Sequence, residues 1–429
     1  MSAPLTVRSA GRRFVGLTAL RWLPIGLAAP VSVLLAASRG LSPADVGVVV
    51  AVYSLVTLLL ELPTGGLADA IGTRQVLVLS GLMTAAGLVT SALAHSVAAF
   101  AVAWALKGVG RALDSGPLEA WYVDAVRAAD PSADVTPGLS RAGAADGAGL
   151  CLGAVLGGLL PLVADGSGDA VLVLPVLAAT GVALLSVAAV AALVVPVGPA
   201  RHAGVAALRA GVREVPAVVR DTARLVVRDR VLRRLLAISL LVGCTLSTLE
   251  LVGPLHVAAL TGDDAEGAAV FGVVMAVSYA AAGVGALLAP LARRAARRSA
   301  GAAAAGPGLL GALAVAVVPL GGPPALGGLF TVFYVGNAAA WPLWKDALHA
   351  RVAAGQRATA LSASSLTLQV GGLLASLLVL RLADALGTAT GFWVAAGALL
   401  VVAAVSLGLR SGAAAASGPA TPVASRQRG

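Results

Sequence analysis

The feature that most constrains this chain is a succession of long apolar segments separated by short polar gaps. A helix that crosses a bilayer needs about 20 consecutive apolar residues, and the sequence contains twelve such runs, which we call spans 1 to 12. They lie near residues 14–36, 44–64, 76–94, 97–121, 139–163, 170–195, 235–259, 268–291, 301–320, 324–345, 360–382 and 386–409. Spans 3 and 4, and spans 9 and 10, are divided by only a few polar residues, so a count of ten or eleven stays open. The pattern predicts an all-α polytopic membrane protein with twelve transmembrane helices.

Composition supports the same class. Apolar residues are 59% of the chain and charged residues 12%, whereas soluble domains have roughly 45–50% and about 25%. The net charge of +10 does not indicate a nucleic-acid partner, because nearly all basic residues fall in the gaps between spans. The chain has only two lysines beside many arginines, with abundant Ala, Val and Gly. This usage is typical of a GC-rich bacterial genome, so we expect the protein in a bacterial inner (plasma) membrane.

Loop charges predict the orientation of the spans. Basic residues concentrate in alternate gaps, and the other gaps are neutral or acidic, as at 263–266. The positive-inside rule then places both termini in the cytoplasm, which requires an even number of crossings. Arg39 and Arg381 are exceptions to the alternation. The basic gaps hold Arg8, Arg12, Arg13, Arg74, Arg127, the segment 201–234, Arg293, Arg294, Arg297, Arg298, Lys345, Arg351 and Arg357.

A basic segment divides the chain into two halves of six spans. We predict an N-terminal half over 1–195, a cytoplasmic linker over 196–234, a C-terminal half over 235–410 and a disordered tail over 411–429. The linker carries arginines at largely helical spacing among valines and leucines, which is typical of an amphipathic helix on an anionic leaflet. A solvated linker whose charges simply face the cytoplasm is the alternative.

The hairpin between spans 2 and 3 carries the most specific motif. It reads Gly65-Gly66-Leu67-Ala68-Asp69-Ala70-Ile71-Gly72-Thr73-Arg74 and resembles the signature loop between helices 2 and 3 of the major facilitator superfamily. Offset by 220 residues, Gly65 and Arg74 fall on Gly285 and Arg294. The resemblance implies two six-helix pseudo-repeats around a substrate site at the bilayer midplane. It also implies a cytoplasmic gate motif formed by Gly65, Asp69, Gly72, Arg74 and Asp124.

Span 5 contains a second family pattern, Gly149-x-x-x-Gly153-Ala154-x-x-Gly157-Gly158. Small residues at this spacing permit close helix packing. The pattern is also similar to the superfamily's antiporter motif, although Ala154 stands where that motif has proline. The resemblance favours export.

Ionisable residues inside spans are costly and therefore candidates for function. Glu250 lies in span 7 with no basic residue within a turn. Because desolvation penalises its charged form, it is our first candidate for proton coupling, and Asp114 in span 4 is the second. The alternative for Glu250 is a carboxyl that a neighbouring helix holds for structure.

The remaining candidates describe a substrate cavity. Lys107, Arg111 and Asp114 are spaced by four and three residues, so they share one helical face. We expect this face to line the cavity; a locally neutralised structural network is the alternative, and for Arg21 the alternative is snorkelling to the interface. The predicted substrate-cavity residues are Arg21, Lys107, Arg111, Asn337, Trp341 and Gln369.

These features predict a secondary active transporter. We expect proton-coupled export of drug-like or secondary-metabolite molecules by a monomer, with the bilayer, protons and a small-molecule substrate as partners. An importer of a small polar or anionic metabolite is the alternative, and a membrane enzyme or receptor is disfavoured because no catalytic constellation is visible. We expect no cofactor beyond the proton gradient and no metal, since the four histidines are scattered and both cysteines lie within spans.

Overall fold

The computed structural model describes residues 5–64, 67–164, 166, 168–196, 220, 229–295, 300–351 and 357–409, without the side chains of 62–64, 69, 70, 300 and 357–359. The predicted tail over 411–429 and most of the predicted linker over 196–234 lie outside the described residues.

The described chain is a bundle of α-helices in two sets. The first half comprises α1 (Val7–Ser38), α2 (Pro43–Thr64), α3 (Leu67–Ile71), α4 (Thr73–Leu93), α5 (Val97–Leu113), α6 (Pro117–Ala129), α7 (Thr136–Leu159) and α8 (Asp169–Leu193). The second half comprises α9 (Arg230–Thr261), α10 (Asp264–Ala295), α11 (Ala300–Val317), α12 (Pro323–His349), α13 (Arg357–Leu374), α14 (Leu380–Leu386) and α15 (Thr388–Leu407). A π-helical turn, Ala375–Val379, joins α13 to α14.

In the described part of the chain, eleven helices are long and apolar enough to cross a membrane. The twelfth crossing is α5, which has 17 residues. The predicted twelve-helix fold is therefore confirmed. The helices begin where local chemistry favours a start: Asp229, for example, accepts hydrogen bonds from the Val231 and Leu232 N–H groups, a typical N-cap. As a result α9 starts at Arg230.

The structure corrects the prediction of one continuous helix over 97–121. The helix α5 ends at Leu113, and α6 starts at Pro117 after Gly116, whose φ is +98°. That conformation suits glycine and stops a helix, and proline is favoured in the first turn of the next one. Pro342-Leu343 in the second half resembles Pro117-Leu118, but Pro342 lies inside the continuous helix α12, so the two halves differ here.

The hydrophobic cores show how the halves meet. We call the end of the bundle that holds residues 5 and 409 the terminal end, and the opposite end the distal end. One core spans both halves at the distal end, where Val31 and Leu41 belong to the same cluster as Val257 and Ala268. At the terminal end each half has a separate core. The first-half core lies around Phe14, and the second-half core includes Leu235, Leu343, Trp344 and Leu348. The halves are therefore packed together at the distal end and divided at the terminal end.

Close backbone packing holds the distal end shut. The π-helical turn brings the Ser376 carbonyl against Gly47, where an added Cβ would lie 2.1 Å from the oxygen. On the other side of the bundle, Gly158 of α7 packs against Ala268 and Gly272 of α10. Because these contacts join opposite halves, they stabilise the distal closure.

Arg39, an exception to the charge alternation, has a structural explanation. Its Nε lies 2.9 Å from Asp169 Oδ2, and its guanidinium also donates to the carbonyls of Ser91, Ala92 and Ala94. A cation at a helix C-terminus interacts favourably with the helix dipole, so Arg39 ties the distal ends of α1, α4 and α8 together.

Candidate functional site: a charged cavity between the halves

A cavity of about 340 Å³ lies between the two halves. Helices of the first half supply most of its wall, and α9 and α10 supply the rest. Most lining side chains are apolar or small, and the charged ones are few. Those are Arg21, Lys107, Arg111, Asp114 and Glu250. The structure thus brings together both proton-coupling candidates and three of the six predicted cavity residues.

Arg21 pairs with Asp114 across α1 and the end of α5. Only 8% of the Arg21 side chain is exposed, so it points into the bundle and does not snorkel to the interface. Its Nη1 is buried without a hydrogen-bond partner. A buried donor without a partner is costly. Arg21 can therefore donate a hydrogen bond from Nη1 to a further acceptor in the cavity. Asp114 occupies the C-cap of α5, where the helix break holds it beside Arg21.

Lys107 and Arg111 are placed by aromatic rings. The Lys107 Nζ lies 3.6 Å from the centroid of the Trp104 ring, and the Arg111 guanidinium lies 5.8 Å from that of Trp22. Cation–π contact offsets part of the cost of burying such charges. Among the described residues no carboxylate oxygen lies within 4 Å of either cation. The first-half wall therefore presents positive charge to the cavity.

Glu250 faces this wall from α9. It is exposed to the cavity, and the described residues include no ion-pair partner for it. Tyr279 and Tyr334 lie near its carboxylate, their rings are 5.9 Å apart, and the Tyr334 hydroxyl is buried without a hydrogen-bond partner. Tyr53 of α2 lies within the field of both Arg111 and Glu250. The carboxylate thus lies beside phenol groups and forms no ion pair with a described cation.

Three predicted cavity residues lie elsewhere. Asn337 does not line the cavity, and its Oδ1 is buried without a partner. Trp341 packs against Trp344 near the terminal end, with Lys345 Nζ 5.7 Å from its ring. Gln369 donates to Glu61 of α2, so it bridges the two halves. Their positions within the spans predict a depth near the middle of the membrane. The rotation of each helix about its axis decides which residues face the cavity, and composition does not reveal this rotation.

The gate motif is described in part. Gly72 has a φ of +96° and stands between α3 and α4, which explains the glycine in the hairpin. Arg74 and Asp124 are both exposed, and no ion pair joins them in this conformation. Gly65 and the Asp69 side chain lie outside the described residues.

Sequence reasoning missed two carboxylates. Asp146 of α7 lies within the electrostatic field of Arg111 and Asp114, with Oδ1 buried and without a partner. Glu61 accepts hydrogen bonds from Ser115 and Gln369. Both lie inside predicted spans, so the signal that selected Glu250 would have found them. In the described ranges no three His, Cys, Asp or Glu side chains come together as a metal site requires.

Two six-helix halves with a charged cavity between them are the architecture of secondary transporters, and the comparisons agree. The profile of the Major Facilitator Superfamily matches residues 14–347. The chain therefore belongs to the Major Facilitator Superfamily, which indicates a transporter and not an enzyme. A comparison with curated protein sequences gives no significant match.

Solved structures of transporters share the fold. The nucleoside transporter NupG is similar with a TM-score of 0.72 and 13% identity, over 93% of this chain and 98% of that one. A POT family transporter in complex with a thioalcohol-conjugated peptide gives 0.66 and 14%, over 93% and 95%. The human organic anion transporter MFSD10 (TETRAN) gives 0.60 and 18%, over 94% and 100%. At these identities the likeness concerns the fold alone.

Proposed function

We propose that this protein is a secondary active transporter that exports drug-like or secondary-metabolite molecules in exchange for protons by alternating access. The observation that carries the proposal is the division of the cores: one shared core at the distal end and two separate cores at the terminal end, with the charged cavity between the halves. With the termini in the cytoplasm, this is the inward-facing conformation of a two-state cycle.

The proton enters the scheme through Glu250. Its carboxylate has no cation partner among the described residues and lies beside Tyr279 and Tyr334, so desolvation penalises its charged form. Protonation removes that cost. A carboxylate that must be neutralised before the cavity closes links proton binding to conformational change.

The cavity wall supports an amphipathic substrate. Apolar residues such as Ile25, Leu88 and Phe271 provide contact area, and a few charged groups fix orientation, as in ordinary small-molecule sites. The glycine pattern of α7 supports exchange, because Gly153 and Gly157 pack on α1 whereas Gly158 packs on α10 of the other half. That helix is therefore suited to transmit movement between halves.

A second candidate function is import of a small organic anion. The unpartnered Arg21 Nη1 and the two cations without a close carboxylate favour it, because anions bind where desolvated donors converge. NupG is a nucleoside transporter, the POT family transporter is in complex with a thioalcohol-conjugated peptide, and MFSD10 is an organic anion transporter; both candidates fall within this range.

Transport in inverted membrane vesicles tests the proposal. A panel of labelled amphipathic cations, zwitterions and anions is offered with and without an imposed proton gradient. Export predicts accumulation in inverted vesicles that collapses with an uncoupler, and import predicts accumulation in right-side-out vesicles only. If neither preparation accumulates any compound above vesicles without the protein, the transport proposal fails.

A further inference from the structure

The cavity does not end at the boundary between the halves but continues into the first half. Its wall there includes Leu77 and Leu88 of α4 and Ala183, Val187 and Val190 of α8. The two leucines are eleven residues apart, which is about 16 Å along a helix at 1.5 Å per residue. We call this part of the cavity the side chamber. It adds an elongated arm to the space between the halves.

Four helices enclose the side chamber. The helix α5 packs against α4, α4 against α8, and α8 against α1. The cavity passes between α1 and α5, and side chains bridge this gap. Arg21 pairs with Asp114 at the end of α5, and the Arg111 guanidinium lies 5.8 Å from the centroid of the Trp22 ring. A molecule that enters the side chamber from the central space therefore passes the two arginines.

Beyond these charged groups the wall is mostly apolar. Two hydroxyl groups on α4 are satisfied by the backbone, since Ser80 Oγ donates to the Gly110 carbonyl and Thr84 Oγ1 donates to the Ser80 carbonyl. The outer wall is closed where α4 meets α8, because a Cβ added to Gly81 would lie 2.5 Å from Val187 Cγ2. The side chamber therefore suits an apolar chain, whose burial is favourable.

The two arginines favour a negatively charged group at the mouth of the side chamber. An arginine stays charged in a protein and binds carboxylate and phosphate groups through its fork of donors. Arg21 Nη2 holds Asp114, and Nη1 is buried without a partner. In the described ranges Arg111 has no carboxylate oxygen within 4 Å. The charged mouth and the apolar interior thus match the two ends of an amphiphile.

We propose that the cavity binds a single-chain amphiphilic anion, with its carboxylate or phosphate group on Arg21 and Arg111 and its apolar chain in the side chamber. The proposal rests on the proposed transport function and names its substrate class. The cavity volume of about 340 Å³ is near the lower end for small-molecule sites. It therefore suits one chain and excludes a two-chain phospholipid.

Photolabelling of the full chain in lipid nanodiscs tests this without transport. The probe is decanoate with a diazirine at the end of its chain, and the labelled residues are mapped by mass spectrometry with and without excess unmodified decanoate. Probes with the same chain and a hydroxyl or trimethylammonium head group test the charge. We expect the carboxylate probe to label the side chamber, and decanoate to suppress that labelling. The other two probes should label lipid-facing positions such as Leu184 and Leu185, which are exposed on α8.

Variants test the chamber and its mouth separately. Ala183→Leu fills the side chamber and should abolish chamber labelling, whereas Ala188→Leu, the same change at an exposed position of α8, should not. Leu88→Ala enlarges the chamber and should increase labelling by a longer dodecanoate probe, a gain that a folding defect cannot produce. Arg21→Gln combined with Asp114→Asn removes the Arg21 donors without leaving an unpaired carboxylate. The concentration of decanoate needed for suppression should then rise at least about tenfold.

Three results would overturn the proposal. They are equal chamber labelling by all three head groups, equal chamber labelling by a two-chain phosphatidylglycerol probe, and decanoate labelling confined to lipid-facing positions. A protein that gives any of these results and still accumulates a compound in vesicles keeps the transport function and loses only this substrate class. The two failures are therefore distinguishable.

Discussion

Gly158 and Gly272 pack so closely across the two halves that a Cβ added to Gly158 would lie 3.0 Å from the Gly272 Cα and 2.7 Å from the Ala268 carbonyl oxygen. The contact joins α7 to α10 at the distal end, where both halves share one core. A side chain at this point would push the halves apart there while leaving the terminal end untouched. The contact should therefore influence the equilibrium between the two states of the proposed alternating-access cycle.

We expect Gly158→Ala to shift the protein toward the state that is open at the distal end. Overpacking costs about 1–3 kcal/mol, which changes a two-state ratio by roughly 5- to 150-fold. A cysteine at Leu380, fully buried in the distal core, should then react faster with a water-soluble thiol reagent. Gly147→Ala on the same helix, where a Cβ meets open space, is the matched control. Equal labelling of the two variants would show that the contact does not limit opening.

The interactions of Arg39 with Asp169 and the helix carbonyls should contribute more to stability than an exposed ion pair with the same N–O distance. Arg39→Gln removes donors from Asp169 and three helix carbonyls, so we expect a loss of about 2–3 kcal/mol. Arg293→Gln breaks a pair with Asp346 at the same 2.9 Å, but both side chains are about half exposed, and the cost should be below about 1 kcal/mol. Thermal unfolding in detergent compares them; similar melting temperatures would remove the distinction.

How far the sequence predicts this molecule depends on the kind of signal. The spans are predictable because each must satisfy its own backbone hydrogen bonds in lipid, and hydropathy reveals that directly. The break at Gly116 is less visible, since Gly-Pro occurs inside an apolar run that hydropathy reads as continuous. The Arg21–Asp114 pair could not be predicted, because it joins helices 93 residues apart and depends on how each one is rotated. The same rotation excludes Trp341 and Gln369 from the cavity.

The gate motif should act in the other conformation. Arg74 and Asp124 are exposed and apart here, which is expected if they pair only when the terminal end closes. Cysteines at these two positions should form a disulfide in Gly158→Ala more readily than in the parental protein.

A second prediction for the gate motif concerns Asp69. The Asp69→Asn variant should be expressed normally and slow transport severely, because a carboxylate near a helix N-terminus stabilises the closed gate. Exposed Asp130→Asn is the control, and near-normal turnover in Asp69→Asn would defeat the gate hypothesis.

Lys107 should be reachable from water in the present conformation, since it lines the cavity over Trp104. We expect Lys107→Cys to react with a membrane-impermeant thiol reagent added at the terminal end, and a transported compound to slow the reaction. Ala103→Cys, one turn earlier on α5 and fully buried, should stay unreactive. Labelling of Lys107→Cys that requires detergent would mean a structural role and end the cationic-cavity hypothesis.

Glu250 gives the sharpest test of proton coupling. Glu250→Gln resembles the protonated carboxyl in shape and keeps a hydrogen-bonding group for the neighbouring tyrosines, but it cannot bind or release a proton. Substrate binding should therefore survive, and so should exchange of substrate for substrate, because neither needs the proton to leave. Accumulation driven by a pH gradient should be lost.

The control for Glu250→Gln is Glu266→Gln, an identical change at an exposed position by the distal end, which should transport normally. Glu250→Asp keeps an ionisable group and should retain part of the accumulation, whereas a purely structural role would be served better by the isosteric Gln. If Glu250→Gln still builds a substrate gradient from a proton gradient, Glu250 is structural and the proton travels on another carboxylate.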